Sequence, residues 1–253
     1  MSKPLLPPTE GSAYPSGSRL RDPESRRTKA RKILTVLHDA IKGDLRHLRC
    51  LDVGCASGLI SYHLAEELGQ VVGVDPDGAA VALAPQRDNL FLLQADALRL
   101  PFPDRSFDVA VCAQVYEHTT DAPRLMAEVR RVLRDNGLCF FSGPNKAFPL
   151  EFHYGLPFLH WLPVSWASWI VRRTGKGQAY DEKPLSRGQL TRVLSGFVIE
   201  DYTVAMLRDP DCFFTRDEVP LARWVRHVPV AVWRLLYGLL PNYNWVLRKD
   251  KSA

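Results

Sequence analysis

Three aspartates stand at the ends of three successive apolar runs: Asp52 in Leu48 to Val53, Asp75 after Val71-Val72-Gly73-Val74, and Asp96 after Leu90 to Gln94. If the runs are parallel strands, the three carboxylates share one sheet edge, where such sheets bind ligands. After the first run comes a loop of small residues, Gly54-Cys55-Ala56-Ser57-Gly58. Glycine lets the backbone turn tightly and lets a ligand approach where no Cβ stands in the way. Asp75 lies 23 residues beyond Asp52, the distance from which a carboxylate accepts both hydroxyls of a ribose. The plainer alternatives are a tight strand-to-helix turn and a turn-initiating acid before Pro76. A dinucleotide asks for Gly-x-Gly-x-x-Gly with its pyrophosphate on a helix N-terminus. Here the nearest match is Gly54-x-Ala56-x-Gly58, which better suits an uncharged nucleoside carrying an amino-acid tail.

The elements that must hold these residues are legible as periodicities. Ala30, Ile33, Leu34, Leu37 and Ile41 form a helical stripe, so a first helix runs from about Pro23 to Ile41 and ends at Gly43. Leu59, Ile60, His63, Leu64 and Leu68 give the helix after the glycine loop. Strands are expected at Gln70 to Asp75, Leu90 to Gln94, Phe107 to Ala113 and Leu138 to Ser142, with a short helix over Asp77 to Ala84. Runs apolar at every position belong to strands covered on both faces. Asp121 caps a helix whose stripe is Leu125, Met126, Val129, Val132 and Leu133, with Asn136-Gly137 as its stop. Strands alternating with helices predict an α/β, doubly wound sheet.

From Phe152 to Val171 the chain carries no Asp, Glu, Lys or Arg. That length admits a membrane span, but Pro157 and Pro163 break one, and His153 and His160 are costly in it. One or two short apolar helices over the sheet's C-terminal edge are expected instead, as a lid, a substrate wall or an interfacial surface. Further on, Ser186-x-x-Gln189 reads as a capping box, Phe197 to Leu207 as a strand with a break after it, Arg216 to Arg226 and Val230 to Leu240 as amphipathic helices, and Tyr243 to Leu247 as a last strand.

A chain of 253 residues with 46% hydrophobic composition holds one α/β domain with embellishments. Net charge is +5 with a pI near 9.0, which suits an acidic ligand or an anionic surface without proving either. Four of the five cysteines, Cys50, Cys55, Cys112 and Cys139, fall in or beside expected strands, and no Cys/His spacing suits zinc. A reduced, cytoplasmic protein without a structural metal is expected. The Pro-, Ser-, Gly- and Arg-rich start, residues 1–27, reads as a flexible arm without a secretory signal.

On these residues the chain resembles class I S-adenosylmethionine-dependent methyltransferases of the small-molecule type that includes quinone-, lipid- and glycan-pathway enzymes. The resemblance rests on Leu51 to Gly58, Val74-Asp75, Ala95-Asp96-Ala97, Leu100 to Asp108, Gln114-Val115-Tyr116-Glu117-His118 and Arg131 to Gly137. Weaker likeness to a bacterial subgroup extends over Pro144 to Pro163 and Pro241 to Lys249. Ala56 departs from the family's usual second glycine. The resemblance implies a mostly parallel seven-stranded sheet in a domain over 28–253, with an inserted apolar helical lid at about 146–185. It implies that Asp52, Gly54, Cys55, Ala56 and Gly58 hold the methionine end of S-adenosylmethionine, Asp75 with Pro76 the ribose, and Asp96 with Ala97 the adenine, with Gln114 near the sulfonium. His118 and His153 are then candidate bases, since histidine titrates near neutrality, and Glu151, Tyr154 and Trp161 candidate substrate contacts. For His118 the alternative is a structural hydrogen bond. The implied activity is methyl transfer to a small or lipid-like acceptor, at oxygen, with C-methylation of a quinone-like or polyketide ring as the alternative. A membrane-surface or partner-binding protein with a vestigial cofactor fold is the other class. No nucleic-acid partner is expected, and peripheral membrane contact is.

Overall fold

The computed structural model describes residues 22–151, 154–216 and 222–250. Its centre is a seven-stranded sheet. In chain order the elements are α1 (Pro23–Ile41), β1 (Arg49–Val53), α2 (Leu59–Leu64), β2 (Gln70–Asp75), α3 (Gly78–Val81), β3 (Leu90–Gln94), β4 (Phe107–Ala113), α4 (Ala122–Val132) and β5 (Leu133–Pro144). There follow a small hairpin, β6 (Leu150–Glu151) and β7 (Leu156–Pro157), then α5 (Val164–Arg173), α6 (Arg187–Val193), β8 (Phe197–Asp201), α7 (Thr203–Arg208), α8 (Ala222–Val225), α9 (Val230–Leu235) and β9 (Asn242–Lys249). Sheet order is β3-β2-β1-β4-β5-β9-β8, with β9 antiparallel to both neighbours and the other pairs parallel.

The apolar runs are explained by two cores, one on each face of the sheet. Successive residues alternate between them. Leu51, Ala110, Cys112, Cys139, Phe141, Trp245 and Leu247 join the core under α4 and α6. Cys50, Val109, Val111, Leu138, Phe140 and Val246 join the core under α1, α2 and α7. A strand of period two covered on both sides has no position left for a polar residue except at its ends, and that is where the aspartates are.

β1 to β4 run as their patterns predict, while α2 stops at Leu64, α3 spans Gly78–Val81 and β9 extends over Asn242–Lys249. Other boundaries differ as well. Lys42, with φ 52°, makes the left-handed turn after α1, and Gly43 does not. The stretch Arg134 to Gly137 lies inside β5, so Asn136-Gly137 is no helix stop, and α4 ends at Val132. A Cβ on Gly137 would come within 3.0 Å of the Arg134 and Asp108 carbonyl oxygens, so glycine serves a close backbone approach there. Phe197 to Leu207 is not one strand: β8 stops at Asp201, whose side chain accepts the Thr203 N–H at 2.9 Å and turns the chain into α7. The helices expected over Arg216–Arg226 and Val230–Leu240 are shorter, α8 and α9, with one 3₁₀ turn at Tyr237–Leu239; residues 217–221 lie outside the described residues. Asp22 accepts the Glu24 N–H at 3.2 Å and opens α1 at Pro23, where its stripe predicts; residues 1–21 of the expected arm lie outside the described residues.

Candidate functional site

Register brings the predicted residues together. Val53 pairs with Val74 and with Cys112, and Asp75 pairs with Gln94. The C-terminal ends of β1 to β4 therefore form one edge carrying the loop 54–58, Asp75, Asp96 and Gln114. Gly54 is exposed there at φ +72°, and a Cβ would meet Val115 Cγ2 at 2.7 Å. The loop thus shows bare backbone between β1 and the turn after β4. Ala56 holds φ +49° despite its methyl group, and Gln114 holds φ +60°, both sparsely populated for residues with a Cβ. Such conformations persist when surrounding bonds impose them. For Gln114 the surroundings include its N–H donating to the Ser142 carbonyl at 2.8 Å and its side-chain amide at 3.4 Å from the Ser142 hydroxyl.

Asp75 supplies the bond that holds Ala56. Its carboxylate is 1% exposed and accepts the Ala56 N–H at 2.8 Å on one oxygen and the Asp77 N–H at 2.9 Å on the other. Besides the ribose role its spacing suggests, Asp75 tethers the glycine loop to β2. Asp96 differs: it is exposed, caps its own turn by accepting the Leu98 N–H at 2.8 Å, and faces solvent with Ala97 beside it. Pro76 is exposed and its carbonyl accepts from the Gln94 side chain at 2.9 Å. Cys55 is buried, and burial beside Asp52 and Asp75 pushes its thiol far above the ordinary range.

Asp52 is 4% exposed and accepts the Ser61 hydroxyl at 2.5 Å. Burial raises its carboxyl to about 7; Asp75 adds to this, while Ser61 and Arg26 oppose it. Because the folded value lies above the ordinary one near 3.8, the stability from this group is fully present below about 3.8 and lost as pH rises through about 7. Asp52→Asn is therefore expected to flatten that decline. Urea denaturation of both proteins at several pH values across this window checks it; equal slopes overturn it.

The segment 146–185 is anchored on the same edge at both ends. Asn145 bridges to Leu185, and the Lys183 N–H donates to the Glu117 carbonyl at 2.9 Å. The Tyr116 hydroxyl donates to the Pro144 carbonyl and accepts the Leu185 N–H at 3.2 Å. Within the segment, Leu159, Ala167, Val171 and Tyr180 form a separate small core. Glu151 is buried and accepts the Tyr154 N–H at 2.6 Å, while the Tyr154 hydroxyl reaches Ala179 O and Asp181 Oδ1, both at 3.0 Å. Trp161 is half exposed and its indole N–H donates to the Lys146 carbonyl at 2.6 Å. Of the three expected substrate contacts, Trp161 alone presents a large open face. His118 is exposed, four residues past Gln114; His153 lies outside the described residues.

Ser61 carries no signal in the sequence, and Tyr116 and Asn145, although within quoted segments, carry none for the bonds they make. Asn145 donates to the Gly238 and Leu240 carbonyls at 2.8 Å each and its N–H to the Pro241 carbonyl at 2.9 Å. These partners are separated by up to 96 residues, so no local pattern announces them. At the opposite edge lies a cavity whose lining includes Arg105, Asp108, Arg134 and Asp135, and these charges pair with one another: Arg134 meets Asp108 at 2.5 Å and Arg105 meets Asp135 at 3.2 Å.

Residues 51–141 match the family described as methyltransferase domain. A probable S-adenosylmethionine-dependent methyltransferase of Mycobacterium tuberculosis is 41% identical over 97 residues, 38% of this chain and 35% of that one. The chain thus spans about a third of that relative's length. The demethylmenaquinone methyltransferase of Symbiobacterium thermophilum is 29% identical over 182 residues, 62% of this chain and 71% of the relative. An S-adenosylmethionine-dependent methyltransferase structure from Mesorhizobium loti superposes with a TM-score of 0.55 at 17% identity, covering 85% of this chain and 96% of that one, which shows the shared fold.

Proposed function

We propose, on the premise that residues 51–141 are a methyltransferase domain, that this chain transfers a methyl group from S-adenosylmethionine to a small or lipid-like acceptor, at an oxygen. The observation that carries the reading is the edge itself: bare backbone at Gly54 beside three aspartates from three strands. Carboxylates repel a pyrophosphate and suit a ligand bearing a sulfonium, an ammonium and ribose hydroxyls, so these residues fit S-adenosylmethionine. Gly54, Cys55, Ala56 and Gly58 with Asp52 would hold the methionine end, Asp75 and Pro76 the ribose, Asp96 and Ala97 the adenine, and Gln114 the region of the sulfonium. When bound, the cofactor supplies an electrophilic methyl group. The chain's own contribution is then chiefly positioning: a loop tethered by Asp75, and a segment 146–185 that closes the acceptor side as a lid and keeps water out. The apolar faces of that segment support a lipid-like acceptor and a peripheral contact with a membrane. Methylation of a quinone-like ring carbon is the second reading, favoured by the demethylmenaquinone methyltransferase among the relatives.

Calorimetry with S-adenosylmethionine and with NAD tests the cofactor; saturable binding of the first alone is expected, and binding of NAD alone sinks the reading. Ala56→Gly removes a left-handed alanine, which costs about 1–2 kcal/mol, and adds chain entropy worth about 0.5–1 kcal/mol. Stability is expected to rise by about 0–1.5 kcal/mol while cofactor affinity holds or tightens; a loss of affinity beyond about tenfold contradicts a spectator methyl group. If His118 or His153 is the base for an oxygen acceptor, its replacement by alanine lowers kcat about 100-fold or more with KM held. Unchanged turnover in both variants removes a histidine base from the mechanism.

A further inference from the structure

Helix α5 is amphipathic the wrong way round for a helix that only covers a core. Its inner face, Ala167, Ser168 and Val171, is buried, while Trp166 and Trp169 are 67% and 61% exposed and Val164 is exposed with them. Trp166, Trp169 and Arg173 follow at i, i+3 and i+7, one face of the helix. Arg172 and Arg173 close it, and Lys176 follows; from Phe152 to Tyr180 the chain has these three cations and no carboxylate. A second unpartnered apolar stretch lies on α9 and its continuation, where Leu235 is 83% exposed and Leu239 is exposed too. Residues beside each stretch are tied to the end of β5. Asn145 binds the Gly238 and Leu240 carbonyls, flanking Leu239, and the next residue, Lys146, accepts from exposed Trp161.

We infer that the outer face of α5, together with Leu235 and Leu239, docks on an anionic lipid surface, bringing the mouth of the site against the bilayer. Tryptophans beside arginines match the interface of a membrane, where the indole sits at headgroup level and each cation gains from anionic lipid. Among the described residues no helix is long and apolar enough to cross a membrane, so the contact is one of lying on the surface. The inference rests on the proposed lipid-like acceptor for its purpose, and its test needs no turnover.

Vesicles of phosphatidylglycerol and phosphatidylcholine in equal parts, and of phosphatidylcholine alone, are sedimented with the full chain. Binding to the anionic vesicles that weakens with added salt is expected, with little binding to the neutral ones. R172Q/R173Q is expected to lower anionic binding by about thirty-fold, from about fivefold per cation. W166S/W169S is expected to lower it about tenfold or more. Both variants should bind S-adenosylmethionine as the parent does, which shows that they are folded. The docking inference is overturned if the parent stays in the supernatant with anionic vesicles, if both variants bind like the parent, or if the tryptophan variant instead dissolves a dimer seen by light scattering without vesicles. Vesicle binding as expected by a chain that takes up no S-adenosylmethionine supports docking and sinks the methyltransferase reading, so the two failures are separable.

Discussion

Asp75→Ala is expected to lower stability by about 2–6 kcal/mol and to abolish measurable S-adenosylmethionine binding. The side chain is buried and both of its oxygens accept backbone N–H groups, from Ala56 at 2.8 Å and from Asp77 at 2.9 Å. Alanine leaves both donors, on half-buried residues, without this acceptor, at about 1–3 kcal/mol each. The bond to Ala56 is also what holds that residue at φ +49°, so the loop relaxes once it is gone and the cofactor loses its cradle together with its ribose acceptor. Asp75→Asn keeps one acceptor oxygen, turns an NH₂ toward the other donor, and should fall between. Urea denaturation reads the first effect and calorimetry the second. A variant within about 0.5 kcal/mol of the parent would show that the loop does not depend on the tether. A variant that loses stability but binds the cofactor normally would confine Asp75 to the tether and remove it from the ribose.

Gly143→Ala should be nearly as damaging, for a reason of shape. A Cβ there would lie 2.2 Å from Tyr116 Cε1 and 2.7 Å from its Cδ1. The ring has no room to retreat. It stacks on Phe141 at 5.7 Å, Phe141 stacks on Trp245 at 5.8 Å, and Trp245 on Tyr243 at 4.7 Å. Overpacking of this kind costs about 1–3 kcal/mol. Displacing the ring also pulls its hydroxyl away from the Pro144 carbonyl and the Leu185 N–H, for about 1–3 kcal/mol more. The total expected is about 3 kcal/mol, with faster amide exchange at Leu185 as the sign that the end of the 146–185 segment has come loose. Adding Tyr116→Leu should recover part of the loss, because the clashing ring is gone. A double variant as unstable as the sum of the two singles would refute the ring as the cause.

Both positions show how far the sequence reaches. The strands at 70–75 and 107–113 have the bounds their apolar runs suggest, because a strand covered on both faces writes its length directly into composition; the strand at 90–94 keeps its bounds too, although it lies at the sheet edge with Phe91 51% exposed. The helix after Asp121 was legible at its start, where a local side-chain bond caps it: Asp121 accepts the Arg124 N–H at 2.9 Å. Its end was not. Asn136-Gly137 has the chemistry of a helix stop, yet Leu133 already pairs with Phe107, and strand pairing with a residue 26 positions away outranked the local signal. Lys42 replaced Gly43 at the close of α1 in the same way.

The site divides along the same line. Glycine spacing and three strand-end aspartates are local facts, and they marked the edge and the class of ligand; with the segments at 100–108, 114–118 and 131–137 they carried the methyltransferase likeness. What each aspartate does there was decided by the fold. Burial, opposed by the Ser61 hydroxyl, raises the Asp52 carboxyl to about 7, the Asp75 carboxylate tethers the loop, and Asp96 is left open to solvent. The sequence also showed an apolar, carboxylate-free segment after β5 without saying which side faces in. Tertiary packing chose Ala167 and Val171 for the inside and left Trp166 and Trp169 out. Periodicity tells how residues are grouped on a face; only the neighbour that occupies one of those faces determines which group is buried.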